Sequence, residues 1–322
     1  MNFQEYRAAK ETYLKSEPLR LDCMNTQKAL SHLAPPASAA GEESSLQEAL
    51  SVWQDVTGFN LDHLHVLPGN GVRDLLMQLV KQFKQQQASF IFPQDVYPVY
   101  HQILEGYPCR TYRTLPDWEF DVLTSISDQR QVLLLTQPAV PVGRYLNPQE
   151  TTVLINWLTA DETRTLIIDA AYAYDPNHSI YSQLIQTEQC ICLFSLSKPW
   201  LMPERWGLAV GPQELLERHL QPRADFTCNW VETVRQLAAL PAQLRSAFSE
   251  EWQRLTPAIH NFAPHWRPPQ AGYYSTVNIP FTQLLEEQNV LGVPASVFGS
   301  DRDDVTVISC LFAIQKRSLT RV

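Results

Sequence analysis

The chain alternates two hydrophobic rhythms. Short apolar runs at 64–67, 89–93, 131–135, 165–168, 190–196 and 208–210 are bounded by turn-forming residues. Their length and their β-branched and aromatic content predict buried strands. Between them, apolar residues return every three or four positions. Leu46, Leu50 and Trp53 share one face of a predicted helix over 45–56, and Leu75, Leu76, Leu79 and Val80 share a face of another. A third helix is predicted over 147–159, with Pro148 suited to its first turn. Strand and helix in alternation to about Gly211 predict an α/β, mostly parallel sheet flanked by helices, with ligand groups at strand ends.

From Pro212 onward the rhythm changes. Helices are predicted over 213–220, 229–256 and 281–288, an alternating strand over 272–280, and short pieces over 291–299 and 305–312. These make a smaller α+β unit. At the other end, 3–15 has helical character, 18–22 reads as extended, and 33–41 is a breaker-rich loop. The expected division is an arm over 1–45, a large unit over 46–212 and a small one over 213–322.

Composition narrows the function classes. A chain of 322 residues can bury a large core, and 44% hydrophobic with 18% charged residues is ordinary for a globular protein. A formal net charge of −9 argues against general binding to nucleic acid or to anionic membranes. No apolar run is long enough to span a bilayer, and 1–17 has no apolar signal core, so a cytoplasmic location is expected. The six cysteines form no C-x-x-C pair, and Cys190 and Cys192 should share one strand face as buried thiols. His63 and His65 have no cysteine or carboxylate cluster beside them, so a metal site is not expected.

The chemistry-bearing residues cluster where strands end. The run 190–196 gives way to Ser195, Lys198 and then Arg205, with Pro199 and Pro203 blocking simple helix continuation. The run 165–168 ends in Asp169, with Tyr172 three residues on. Gly69, Asn70, Gly71 and Val72 form a glycine turn before a helix, where backbone N–H groups can meet an anion. Each feature has an ordinary explanation. A strand-end lysine can be solvated, a strand-end aspartate can cap a helix, an arginine can form a surface ion pair, and glycine turns are common. Tyr97 and Tyr100 can be packing aromatics.

Their order and spacing resemble the aspartate aminotransferase fold, fold type I of the pyridoxal-phosphate enzymes, class I/II, nearest to histidinol-phosphate aminotransferases. The resemblance covers nearly the whole chain. It implies a large domain with a mostly parallel seven-stranded sheet and a smaller α+β domain. It implies pyridoxal 5'-phosphate as cofactor, with Lys198 as the Schiff-base lysine, Asp169 beside the pyridine nitrogen and Tyr172 donating to the ring's 3-oxygen. Ser195, Arg205 and the turn at Asn70, Gly71 and Val72 would hold the phosphate. Tyr97, in a Tyr97-Pro98 segment, would stack on the pyridine face. A homodimer with active sites at the interface and an amino-acid-like substrate are also implied.

Two departures from the family pattern bear on the reaction. The segment 137–143 keeps the prolines and the glycine of the family's Asn-Pro-x-Asn-Pro-Thr-Gly, but its second Asn is Val140. The last strand, 305–309, lacks the family's substrate-gripping arginine, and Arg302 lies just before it. Arg302 is then a candidate for the substrate carboxylate from a shifted loop. Aminotransfer is the expected reaction. Cyclisation, elimination or decarboxylation on the same cofactor, and a non-catalytic binding module on the same fold, are the alternatives.

Overall fold

The computed structural model describes residues 1–35, 44–115, 117–124, 129–202, 206–221 and 227–315. Arg205, Pro203 and most of the loop expected over 33–41 lie outside the described residues. The strands, in chain order, are β1 (Leu19–Arg20), β2 (His65–Gly69), β3 (Ser89–Pro93), β4 (Cys109–Tyr112), β5 (Gln131–Thr136) and β6 (Thr165–Ala170). They continue as β7 (Cys190–Ser195), β8 (Gly207–Gly211), β9 (Tyr274–Val277), β10 (Val290–Leu291), β11 (Val293–Pro294) and β12 (Thr306–Ser309).

Seven of these strands form one sheet in the order β2-β8-β7-β6-β5-β3-β4. Neighbours from β7 across to β4 are parallel, whereas β8 runs antiparallel to both β7 and β2. The central strands β5 and β7 are buried along their whole length. That is why they read as continuous apolar runs rather than as alternating ones. Period-two geometry still sorts their side chains. Cys190, Cys192 and Phe194 enter the core on one face of the sheet, and Ile191 and Leu193 enter the core on the other. The two cysteines therefore share a face, and all six are free thiols.

The helix Leu46–Thr57 starts at Ser45, whose side chain accepts the Glu48 N–H, and stops at Gly58 in the left-handed conformation. The helix Pro148–Thr159 begins with a capping box between Asn147 and Glu150, with Pro148 in its first turn. The edge strand β4 was not foreseen. Its Cys-Arg-Thr-Tyr is partly exposed and lacks an apolar run. The stretch expected as one helix over 229–256 is two, Val231–Gln236 and Leu240–His260, broken at Leu237.

A second core gathers the chain's two ends. The helix Leu240–His260 supplies Leu244, Phe248, Trp252 and Leu255 to it. The antiparallel sheet β11-β12-β9 supplies Tyr274, Val277, Val293, Val307 and Ile308. Residues 19–33 join through Leu21, Ala29, Leu30 and Leu33, and β1 pairs in parallel with β10. The segment after β5 locks onto this unit. Gly143, at φ +75°, lies so close to it that a Cβ would sit 2.3 Å from the Tyr274 carbonyl oxygen, and Ala271 N–H donates to the Gly143 carbonyl at 2.9 Å. Only glycine combines that backbone angle with that proximity.

Candidate active site

Register brings the strand-end residues together. Asp169 on β6 stands opposite Thr136 on β5 and Leu193 on β7, so its carboxylate emerges at the carboxyl edge of the parallel strands. One of its oxygens accepts the Tyr100 hydroxyl at 2.5 Å, and the other accepts the Ala171 N–H at 2.8 Å. Burial pushes the Asp169 carboxyl above its ordinary range, and the two hydrogen bonds pull it partly back.

Lys198 follows β7 by three residues. Its N–H lies 3.4 Å from the Ser195 hydroxyl, and its Nζ is 6.0 Å from the centroid of the Tyr172 ring. The turn that carries it is closed at its base by Trp206, whose carbonyl accepts the Leu196 N–H and whose own N–H donates to the Ser197 hydroxyl. A lysine held on so short and pinned a turn keeps its amine at the strand mouth.

Tyr172 is bracketed by two aromatics from the other unit. Its ring meets those of Tyr273 and Tyr274 edge-on, at 5.7 and 5.8 Å. Tyr273 donates to the Tyr274 hydroxyl at 3.0 Å, and Tyr274 donates to the Met24 carbonyl at 3.2 Å. Burial raises the Tyr172 phenol, against the lowering effect of the Tyr273 and Tyr274 hydroxyls.

The glycine turn meets β8 and β7 at one point. Gly207 pairs with Gly69 on one side and with Ser195 on the other. A Cβ on Gly207 would lie 2.8 Å from the Gly71 carbonyl carbon and 2.9 Å from Val72 N. Gly207 thus lets the start of the helix Val72–Gln85 approach the end of β7. Gly71 has φ +87°, and no side chain caps this helix. The Val72 and Arg73 N–H groups belong to the first turn, where an intrahelical partner is lacking and an anion is favoured. Asp74, in the same turn, accepts the Asn70 N–H at 3.3 Å and opposes an anion electrostatically.

Of the residues singled out in the sequence, Asp169, Tyr172 and Lys198 share one strand-end region. Ser195, Gly71 and Val72 flank Gly207 beside it. Asn70 is exposed. Tyr97 is 59% exposed, within electrostatic reach of Tyr172. Tyr100 is not a half-buried packing ring. It is 4% exposed, and its hydroxyl is spent on Asp169. Arg302 is not a free cation. It forks onto Asp304 through two bonds of 2.6 Å and donates to the Leu115 carbonyl. Val140 is 8% exposed and packs in the second core with Val307 and Tyr274. Tyr273, Tyr274 and Gly207 were not foreseen. The Tyr-Tyr doublet and the glycine at the start of the 207–211 run were the signals available.

The donor set fits a phosphorylated aromatic aldehyde. It has a primary amine, a half-buried carboxylate and a phenol at neighbouring strand ends. Beside them stands an uncapped helix start whose close backbone approach a Cβ at Gly207 would block.

No family model matches the chain. It is 25% identical over 200 residues to a histidinol-phosphate aminotransferase of Synechocystis sp., covering 61% of this chain and 55% of that protein. The match covers similarly about half the length of the next curated relatives, 54% and 52%. Among solved structures, the chain superposes on Bna3p, a putative kynurenine aminotransferase from Saccharomyces cerevisiae, with TM-score 0.70 at 14% identity over 97% of this chain and 93% of that one. It superposes on a pyridoxal-phosphate-bound C-S lyase from Staphylococcus hominis with TM-score 0.67 at 14% identity, covering 94% and 87%. The sheet order and these superpositions agree: the chain has the fold of the pyridoxal-phosphate enzymes of fold type I, and its sequence is similar to histidinol-phosphate aminotransferases.

Proposed function

We propose that the chain is a pyridoxal-phosphate-dependent enzyme acting on an amino acid or related amine, with aminotransfer as its reaction. The observation that carries this reading is the convergence of Lys198, Asp169 and Tyr172 at adjoining strand ends. Lys198 would bond the cofactor and, once displaced by the substrate amine, would carry a proton on Nζ to and from the substrate's α-carbon. Asp169 would hold a proton on the pyridine nitrogen, with Tyr100 fixing the carboxylate's orientation. Tyr172 would donate to the ring's 3-oxygen, and Tyr97 would lie against the ring face. Ser195, Arg205 and the backbone at Asn70, Gly71 and Val72 would hold the phosphate. The cofactor supplies an electron sink for the cleaved bond. Histidinol-phosphate aminotransferase relatives support the choice of aminotransfer.

A specific observation supports a second reaction class. Val140 and Val307 pack in one apolar cluster, and Arg302 is committed to Asp304. In the resembled family, an asparagine at the position of Val140 bonds the cofactor's 3-oxygen, and an arginine in the last strand grips the substrate carboxylate. The carboxylate would have to be gripped elsewhere, which fits elimination, cyclisation or decarboxylation on the same cofactor. A homodimer in which a second copy covers Tyr97 belongs to this reading, as does a cytoplasmic location. Among the described residues, no helix is long and apolar enough to cross a membrane.

Titration of the protein with pyridoxal phosphate, followed by visible absorbance and then by addition of amino acids with a keto acid, tests the proposal. Aminotransfer predicts a new amino acid only when keto acid is present. Product release without keto acid selects the second class. Absence of any saturable absorbance change contradicts both.

A further inference from the structure

A cleft of about 400 Å³ opens where the loop after β5, the loop after β6, the helix Leu240–His260 and the segment before β9 meet. Tyr172 is part of its wall, but Lys198, Asp169 and Ser195 are not. It is therefore a separate space that shares one residue with the candidate active site.

Three polar side chains of this cleft, Asn147, Gln270 and His178, have a common feature: each already uses a side-chain acceptor atom. The Asn147 carbonyl oxygen accepts the Glu150 N–H at 2.9 Å, as the helix cap. The Gln270 carbonyl oxygen accepts the Tyr145 N–H at 3.0 Å. A backbone N–H can only donate, so both amides are fixed with their NH2 groups as the remaining ends. Nδ1 of His178 accepts the Ile180 N–H at 3.3 Å, so the neutral ring carries its proton on Nε2. The ring is clamped face to face on Tyr145 at 3.8 Å, and burial holds its pKa below the usual value. Arg245 spends one N–H on Asp175, at 2.8 Å, and is 50% exposed. What these four side chains offer a ligand is a set of donors: two amide NH2 groups, an imidazole N–H and most of a guanidinium, with the Asp175 carboxylate held against Arg245.

We propose that this cleft binds a small carboxylate, gripped by Arg245 and by the Asn147, Gln270 and His178 donors. The site goes beyond the proposed function and is distinct from the place where the reacting amine would sit. Asp175 cancels the charge of Arg245, so the cleft is formally neutral. A carboxylate group, with one charge per group even in a dicarboxylate, is accommodated there more readily than a phosphate that concentrates nearly two charges on one group. Tyr172 lines the cleft and its ring centroid stands 6.0 Å from Lys198 Nζ, so a ligand there couples to the candidate active site through that ring.

The test is calorimetric titration of the full chain with succinate, which has no amine or carbonyl able to react with a lysine. Inorganic phosphate is run in parallel. Saturable succinate binding is expected in the unmodified protein and, unchanged, in Lys198→Ala. Weakening of about tenfold or more is expected in Arg245→Gln and in Gln270→Glu, since each removes a charge-assisted or amide donor. Circular dichroism checks both folds. If Arg245→Gln fails to fold, Gln270→Glu decides, because it keeps the oxygen that holds Tyr145 N–H and replaces only the donor end. No saturable binding, binding lost in Lys198→Ala, binding indifferent to both cleft substitutions, or phosphate bound more tightly than succinate overturns the proposal. The pyridoxal-phosphate absorbance titration should be the same in both cleft variants, so failure of this site leaves the proposed function standing, and the reverse.

Discussion

The Tyr100 hydroxyl donates to the Asp169 carboxylate at 2.5 Å, from a ring that is 4% exposed. The bond ties the helix Val99–Ile103 to the carboxyl end of β6. It gives the half-buried carboxylate a fixed direction, with Ala171 N–H holding the other oxygen.

Tyr100→Phe should therefore destabilise the protein by about 1.5–3 kcal/mol, the usual range for losing a hydrogen bond to a charged group. Urea unfolding of the two proteins at neutral pH checks this. A change below about 0.5 kcal/mol, within the range of neutral surface substitutions, would show that the bond is not formed in solution.

The same carboxyl gives a pH signature. Burial raises the Asp169 pKa above its unfolded value of 3.8. In the window from 3.8 upward to the folded value, the native state holds more protons than the unfolded state. Stability then falls as pH rises through that window. Asp169→Asn, which never ionises, should lack this fall. In protein without added pyridoxal phosphate, unfolding free energies measured from pH 4 upward should show the wild type losing ground to Asp169→Asn. Parallel pH curves for the two would refute the burial argument.

Gly207 has no room for a methyl group. Its neighbours at 2.8–3.0 Å are the backbone of Gly71 and Val72, which cannot swing aside. Gly207→Ala should cost about 1–3 kcal/mol from overpacking and should weaken pyridoxal-phosphate binding by prising the helix start from β7. Thermal unfolding and the absorbance titration read the two effects separately. Unaltered values for both would mean that the approach is looser than described.

Arg302 is bound to Asp304 and to the Leu115 carbonyl. Arg302→Gln should leave the apparent KM for any amino-acid substrate unchanged within about twofold, an energy difference of under half a kcal/mol. A KM increase of tenfold or more would instead assign it the substrate carboxylate.

The sequence was most informative where burial is deepest. The apolar runs behind β3, β5, β6, β7 and β8 stand out because both faces of the sheet are covered. β4 was hidden because an edge strand carries Arg110 and Thr111, without an apolar run. The strand-end residues Asp169, Tyr172, Ser195 and Lys198 could be read because each lies within a few residues of its strand. Partners that come from distant segments could not. Tyr100 is 69 residues from Asp169, and Tyr273 and Tyr274 reach Tyr172 from beyond the long helix. The pairing of Arg302 could not be read for the opposite reason. Its partner Asp304 is two residues away, a local fork that nothing in a lone arginine announces.

The central claim is that Lys198 forms a covalent bond to pyridoxal phosphate. Borohydride reduction of the loaded protein, followed by proteolysis and mass spectrometry, tests it directly. The account predicts a single modified peptide with the reduced cofactor fixed on Lys198, and no fixation in Lys198→Ala. Loaded protein that yields an unmodified Lys198 peptide, or a label spread over surface lysines, would contradict it.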